Sequence, residues 1–246
     1  MENDQRVFLV LQGQRELVPE LMDDPSLCSR EHARALAGLR RINWVCQTSR
    51  QLVRVIRQEL GKDSESISVL DIGAGGGDVA AGVYHGLLDR GYTISIRGWD
   101  VSSTAVGIAN ARHRQARFGS DLSFEVVDIW DRDRQDRFDI VYCSLFLHHF
   151  STEQAVQVVR CMRRRCKRLL IVDDLVRSQL GLWMAQVGCR LMSRSPVVRF
   201  DGPQSVRAAF SRSEFGELAR AAELGQFKMR CHWPQRMYLM WRFNDN

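Results

Sequence analysis

The chain has 246 residues, 45% of them hydrophobic, and carries 35 Lys plus Arg against 29 Asp plus Glu for a net charge of +6. That length buries one large core, or a core with a cap, so one α/β domain with an appendage is expected. No run of about eighteen apolar residues occurs, the N-terminal VFLVL is too short for a signal core, and the seven cysteines form no CxxC and no Cys/His cluster at zinc spacing, which sets aside membrane-spanning, secreted and zinc-bound classes and points to reduced thiols and a cytoplasmic location.

From Ser29 to Leu60 the apolar residues Ala33, Leu36, Leu39, Ile42, Val45, Leu52, Val53, Ile56 and Leu60 recur every three or four positions, and Gly61 ends the pattern. One or two amphipathic helices therefore precede the core. ISVLDI (67–72) is a continuous apolar run, followed by a helical VAAGVYHGLLDR that Gly91 stops. TISIRGWD (93–100) reads as a strand, 103–117 as a helix, and SFEVVD (123–128) and FDIVYCS (138–144) as two more strands. Ser151 and Gln154 spell a capping box for a helix reaching about Cys166, and RLLIVDD (168–174) is a fifth strand. The densest basic run, RCMRRRCKR (160–168), falls where that helix ends, and there cations favour the helix dipole. No aromatic platform is interleaved with it, so nucleic acid is not the expected partner.

Strands alternating with helices imply right-handed βαβ units in a mostly parallel sheet. The last third differs: a Leu, Trp, Met and Cys-rich segment (175–193), a loop with Pro196, Gly202 and Pro203, a second capping box at Ser211 and Glu214 opening a helix to Leu224, and a tail reading as two short strands around Pro234. The expected organisation is a helical cap over 1–62, a Rossmann-like core over 63–174, a cap or insertion lining a ligand site over 175–212, and a last helix with a β-hairpin completing the core over 213–246.

VLDIGAGGGD (69–78) places a bare turn between the first strand and the first core helix. Glycine turns of this kind serve both dinucleotides and S-adenosylmethionine, so the surrounding acids must discriminate. Asp71 precedes Gly73 and Asp78 follows Gly77; carboxylates so placed repel a pyrophosphate but attract the ammonium and sulfonium of S-adenosylmethionine. The spacing is GxGxG (Gly73, Gly75, Gly77), not GxGxxG. Asp100, 25 residues after Gly75, closes the second strand where a carboxylate can accept from ribose hydroxyls. Asp128 ends the third and can accept from the adenine amine, with Ile129 beside the ring. Asp78 either faces the ligand or merely caps its helix.

With these motifs the sequence resembles the class I S-adenosylmethionine-dependent methyltransferases: VLDIGAGGGD resembles their first motif, GWD their ribose-binding acid, VVDIW their adenine motif and FDIVYCSLFLHHF their fourth. The resemblance covers roughly 65–175 and implies an α/β, Rossmann-like methyltransferase sheet, mostly parallel with an antiparallel last strand, carrying N-terminal helices and a small helical cap. It also implies cofactor contacts from Asp71, Gly73, Ala74, Gly75, Gly77, Asp78, Asp100, Val101, Asp128, Ile129 and Ser144. PELMDDP, ALAGLRRIN, SLFLHHF, VDDLVRS and DGPQSVRAAFS resemble, in order, bacterial small-molecule methyltransferases acting on phenolic or polyketide-like metabolites. That group tends to carry His-Asp-Gly where this chain has Phe200-Asp201-Gly202, and Asn-Asp-Leu where it has Asp173-Asp174-Leu175.

Methyl transfer from a sulfonium is an in-line displacement, which requires the acceptor about 3 Å from the methyl, and an acceptor hydroxyl must also lose a proton. His148 and His149 leave the fourth strand at the right edge; adjacent side chains diverge, so one faces the acceptor, with His148 favoured by the resemblance. A phenol near pKa 10 and an imidazole near 6.5 differ by about 3.5 units, so full proton transfer costs roughly 5 kcal/mol, unless a cation such as Arg207 favours the phenolate. Arg207 serves equally well as a salt-bridge partner for Asp201. The acceptor pocket is expected from Phe146, Trp183, Phe200 and Asp201, with Arg41, Asn43, Met184 and Met192 near it. No metal is expected. The expected activity is O-methylation of a small aromatic metabolite, with carbon or nitrogen methylation, an RNA methyltransferase and a silent cofactor-binding module as the competing readings. A small-molecule acceptor is the expected partner, without membrane insertion, and the sequence leaves the oligomeric state open.

Overall fold

A computed structural model describes residues 14–24, 26–61, 66–115, 121–131 and 134–243. Seven strands form one sheet: β1 (Ile67–Ile72), β2 (Ile94–Asp100), β3 (Leu122–Val126), β4 (Phe138–Ser144), β5 (Cys166–Leu175), β6 (Phe227–His232) and β7 (Arg236–Arg242), in the order β3-β2-β1-β4-β5-β7-β6. All neighbouring pairs are parallel except the two made by β7, which runs antiparallel between β5 and β6. The chain reverses direction between β1 and β4, and there the loops at the carboxyl ends of the strands splay apart to leave a ligand crevice. The apolar runs of β1, β4 and β5 become central strands because both of their faces are covered.

One face carries α2 (Thr48–Leu60), α3 (Asp78–Leu88) and α4 (Ser103–Gln115), whose Val53, Ile56, Val83, Leu87 and Ala109 pack on Val69, Ile96 and Ile140. The other carries α5 (Thr152–Arg165) and α8 (Arg212–Ala221), whose Val158, Met162, Phe215 and Leu218 cover Leu70, Val141, Leu170 and Leu239. Both expected capping boxes form, Ser151 with Gln154 and Ser211 with Glu214. The arginines 163 to 165 fall in the last turn of α5.

A third layer sits over the crevice: α1 (Ser29–Val45), α6 (Gln179–Met192) and α7 (Pro196–Ala208), joined by Ala35, Cys189, Val197 and Val198. Here the structure departs from the sequence reading, which placed a loop around Pro196, Gly202 and Pro203. Pro196 opens α7, where a missing N–H costs nothing. Gly202 lets α7 approach α6, since a Cβ there would collide with Cys189 Sγ. Pro203 gives up one internal hydrogen bond, and the packing of Val197, Val198 and Val206 carries the helix past it. β3 ends at Val126, two residues short of Asp128, so that acid stands on the loop.

Candidate active site

The glycine turn leaves β1 through Gly73, Gly75 and Gly77, with φ of 70°, 53° and 74°. These are left-handed values that a side chain adopts only under strain, and a Cβ on Gly73 would also strike the Phe146 ring. The turn is pinned to β2 by Gly73 and Ala74 N–H groups donating to the Trp99 carbonyl. Asp100 accepts from Gly75 N–H at 2.7 Å and from Ser102 N–H at 2.8 Å, which fixes its carboxylate at the crevice. Asp78 accepts from the Asn43 amide at 3.0 Å, tying α1 to the turn; no side-chain cap holds the start of α3.

Asp71 differs from what the sequence suggested. It is buried beneath the turn, 2% exposed, and accepts from the Tyr142 hydroxyl at 2.9 Å. Burial first, and then repulsion from Asp78 and Asp100, push its carboxyl well above the usual range despite the Tyr142 bond. Burial likewise raises Asp78 and Asp100. Three crowded acids with raised affinities for protons are each returned toward the charged form by a cation, so the crevice favours a positively charged ligand. Along its rim Val101 is 68% exposed, Ile129 lies beneath, and Asp128, exposed, accepts from Trp130 N–H. Exposed Val101 between the strand-end Asp100 and the loop acid Asp128 is the chemistry that a purine nucleoside needs. Ser144 is already engaged, its Oγ accepting from Arg236.

Beyond β4 the backbone turns through Leu145, at φ 54°, into a short 3-10 turn, Leu147–His149. His148 is buried, with Nδ1 2.7 Å from Asp174 Oδ1 and its backbone N–H donating to Asp174 Oδ2 at 3.0 Å. Nε2 lies 3.6 Å from Glu20 Oε1. Burial pulls its pKa down, but Asp174 and Glu20 outweigh that and hold it up at about 10. The ring is thus an imidazolium at neutral pH. His149 stacks on it at 4.4 Å between centroids, with Nδ1 2.8 Å from Asp23 Oδ2 and Nε2 4.0 Å from Glu20 Oε2. Glu20 is buried too, which raises its pKa, yet both histidines and a bond from Ser205 Oγ bring it below the ordinary value. Glu20 and the two histidines also offer ligand atoms within 4.8 Å of one another. Two carboxylates around His148 make its Nε2 a hydrogen-bond donor, so the cluster is read as ion pairs.

Residues 14–24 form a strap across this pair. Arg15 stacks 3.5 Å above Phe210 and donates to the carbonyls of Ala208, Phe150 and His148. Asp201 accepts from the backbone N–H groups of Leu21 and Met22, and burial raises its pKa to about 6. Arg207 donates to Gln204 and makes no ion pair with Asp201 among the described residues. Phe146 lies against Gly73 and edge-on to Phe150. Arg41 donates to the Met192 carbonyl, and Met184 and Met192 are half-buried. Trp183 and Phe200 are 60% and 43% exposed, on outer surfaces of α6 and α7. The Asp at 173 is neutralised from the hairpin: Arg236 reaches it through Nε and Nη2, and His232 Nε2 lies 2.9 Å away.

Sequence reasoning gave no site role to Glu20, Asp23, Asp174, Tyr142 or Arg15. Asp174 was within reach: parallel pairing of β4 with β5 sets Ser144 against Asp173, so the next acid faces the histidine turn. Glu20 and Asp23 lie at either end of a single 3-10 turn, Leu21–Asp23, too short for any periodicity to show which way a side chain turns.

Residues 69–168 match the protein family described as Methyltransferase domain. No curated protein matches the chain. The solved plantazolicin methyltransferase BpumL in complex with SAH is similar at a TM-score of 0.64 and 14% identity, over 88% of this chain and 88% of that one. The magnesium protoporphyrin IX methyltransferase ChlM of Synechocystis PCC 6803 with bound SAM is similar at 0.53 and 15%, over 91% and 88%. A Nostoc punctiforme protein whose O-methyltransferase assignment is itself provisional is similar at 0.58 and 16%, over 81% of this chain, which spans 57% of that protein's length. At such identities the likeness shows the fold, a Rossmann-like scaffold that holds S-adenosylmethionine or its product in these neighbours.

Proposed function

We propose that this chain, whose residues 69–168 match a methyltransferase domain and whose fold is shared with methyltransferases holding S-adenosylmethionine or its product, is a class I, S-adenosylmethionine-dependent enzyme that methylates an oxygen of a small aromatic or polyketide-like metabolite, with His148 managing the acceptor's charge. The observation carrying this reading is the buried Asp174–His148–Glu20 line at the carboxyl edge of β4. Bound cofactor supplies an electrophilic methyl on a sulfonium. Asp100 would accept from its ribose, Asp128 from its adenine amine, with Val101 and Ile129 flanking the ring. The Gly73, Ala74, Gly75 and Gly77 backbone would lie against it, and Asp78 with Asn43 would meet its ammonium.

His148 acts as a cation in this reading, which changes the expectation of a neutral base. A phenol entering toward Nε2 sets its hydroxyl against Glu20, and the proton passes to that carboxylate only as the oxygen is methylated and its O–H becomes strongly acidic; before then a carboxylate held below its ordinary pKa does not take it. The imidazolium beside the oxygen steadies the negative charge that grows there as the proton leaves, so the oxygen keeps the electron density needed for attack. Asp174 holds the ring through Nδ1 and the backbone N–H, so Nε2 stays aimed. The strap bearing Glu20 and Asp23 excludes water. Phe146, which lies against Gly73 and Phe150, would guide a flat acceptor.

The test is incubation of the purified chain with S-adenosylmethionine and a panel of phenols, read by mass spectrometry for the gain of one methylene. Changing both His148 and His149 to Ala, and His148 alone to Gln as the conservative variant, should lower turnover on the order of 10²-fold or more while calorimetry still finds cofactor binding. Near-normal turnover with a carbon or nitrogen acceptor would reassign the histidines to structure.

A further inference from the structure

The outer side of the third layer has a composition that the methyl-transfer site does not use. On α6, Leu180, Trp183, Val187 and Leu191 follow at steps of three, four and four, one helical stripe, and all are exposed, Leu191 to 81%. Trp44, 78% exposed, and Val45 end α1, and Trp233, 58% exposed, lies in the turn between β6 and β7. These places adjoin. Gln51 donates one amide nitrogen to both the Cys46 and Trp233 carbonyls, at 2.8 and 2.9 Å. Ser178, at the start of α6, donates to Gln235 of the same turn, and Arg41 of α1 donates to the Met192 carbonyl at the end of α6.

The charges around this rim have one sign. No acid occurs between Glu31 and Glu59, or between Asp174 and Asp201. Arg41, Arg50, Arg190, Arg194 and Arg199 are all exposed, and none makes an ion pair among the described residues. Exposed leucine and tryptophan with a purely cationic border is the composition of a surface that lies in a membrane interface.

We propose that this face docks peripherally on an anionic lipid bilayer, with the α6 stripe, Trp44 and Trp233 seated among headgroups and acyl ends and the arginines against lipid phosphates. No helix is long and apolar enough to cross a membrane among the described residues, so the contact lies on the bilayer. A second copy of the chain fits this face less well: a two-fold contact would set arginines against the same arginines with no acid to answer them. An anionic bilayer satisfies both the apolar stripe and its border.

The experiment is flotation of the full chain with vesicles of phosphatidylglycerol and phosphatidylcholine, compared with pure phosphatidylcholine, at low and high salt. Binding is expected with the anionic vesicles, at least tenfold weaker with the neutral ones and weakened by salt. Trp44→Ser combined with Leu191→Ser, at two of the most exposed positions, should reduce anionic-vesicle binding at least tenfold while the thermal melt is retained. Failure to float with anionic vesicles at low salt overturns the proposal. So does undiminished binding by the double variant, which would assign attraction to the arginines at the end of α5, and so does a dimer in sedimentation that the double variant dissolves without any lipid binding.

Discussion

His148 gives the sharpest quantitative expectation. Its pKa of about 10 in the fold stands against about 6.5 in an unfolded chain, a gap of about 3.5 units and on the order of 5 kcal/mol of differential interaction. The folded value is the raised one, so this contribution is fully present below about pH 6.5, fades as pH rises, and is gone above about 10. Denaturant unfolding followed across that window should therefore show stability falling with pH, with a slope approaching 1.4 kcal/mol per unit at its steepest. Asp174→Asn removes the partner that holds Nδ1 and keeps the side-chain shape. The variant should lose most of this slope, its His148 should titrate several units lower by NMR of labelled histidine, and the pH dependence of phenol methylation should move with it. Stability flat from pH 6.5 to 10 in the native chain, with His148 titrating near 6.5, would refute the ion-pair reasoning and return the ring to the role of a neutral base.

Asp100→Ala should abolish cofactor binding in calorimetry, since two bonds to a carboxylate at about 1.5–3 kcal/mol each amount to 10²-fold or more; unchanged affinity would remove the ribose assignment. Gly73→Ala meets a φ of 70° and the Phe146 ring together, so it should cost more than the roughly 1–2 kcal/mol of the left-handed backbone alone and weaken cofactor binding in the same measurement. A melting temperature within a degree of the native chain would mean the turn repacks freely.

The chain by itself determined the sheet and where its ligand edge lies. Continuous apolar runs at 67–72, 138–144 and 168–174 can only be central strands, and strand-helix alternation forces them parallel, so the glycine turn, Asp100, Asp128 and the two histidines necessarily collect at one edge. What no periodicity encodes is which groups meet across that edge. Asp71 looked like part of the ligand's surroundings because it adjoins the first glycine, yet the pleat sets it on the same face as Tyr142, its partner on β4, buried beneath the turn. Pro196 and Gly202 looked like loop residues because their local preference is for breaks, and packing on α6 overrode it. The protonation of His148 depends on Glu20, 128 positions away in the chain, and on Asp174 from a neighbouring strand. Electrostatic energy depends on distance through space, so tertiary structure alone decided the charge that the site holds.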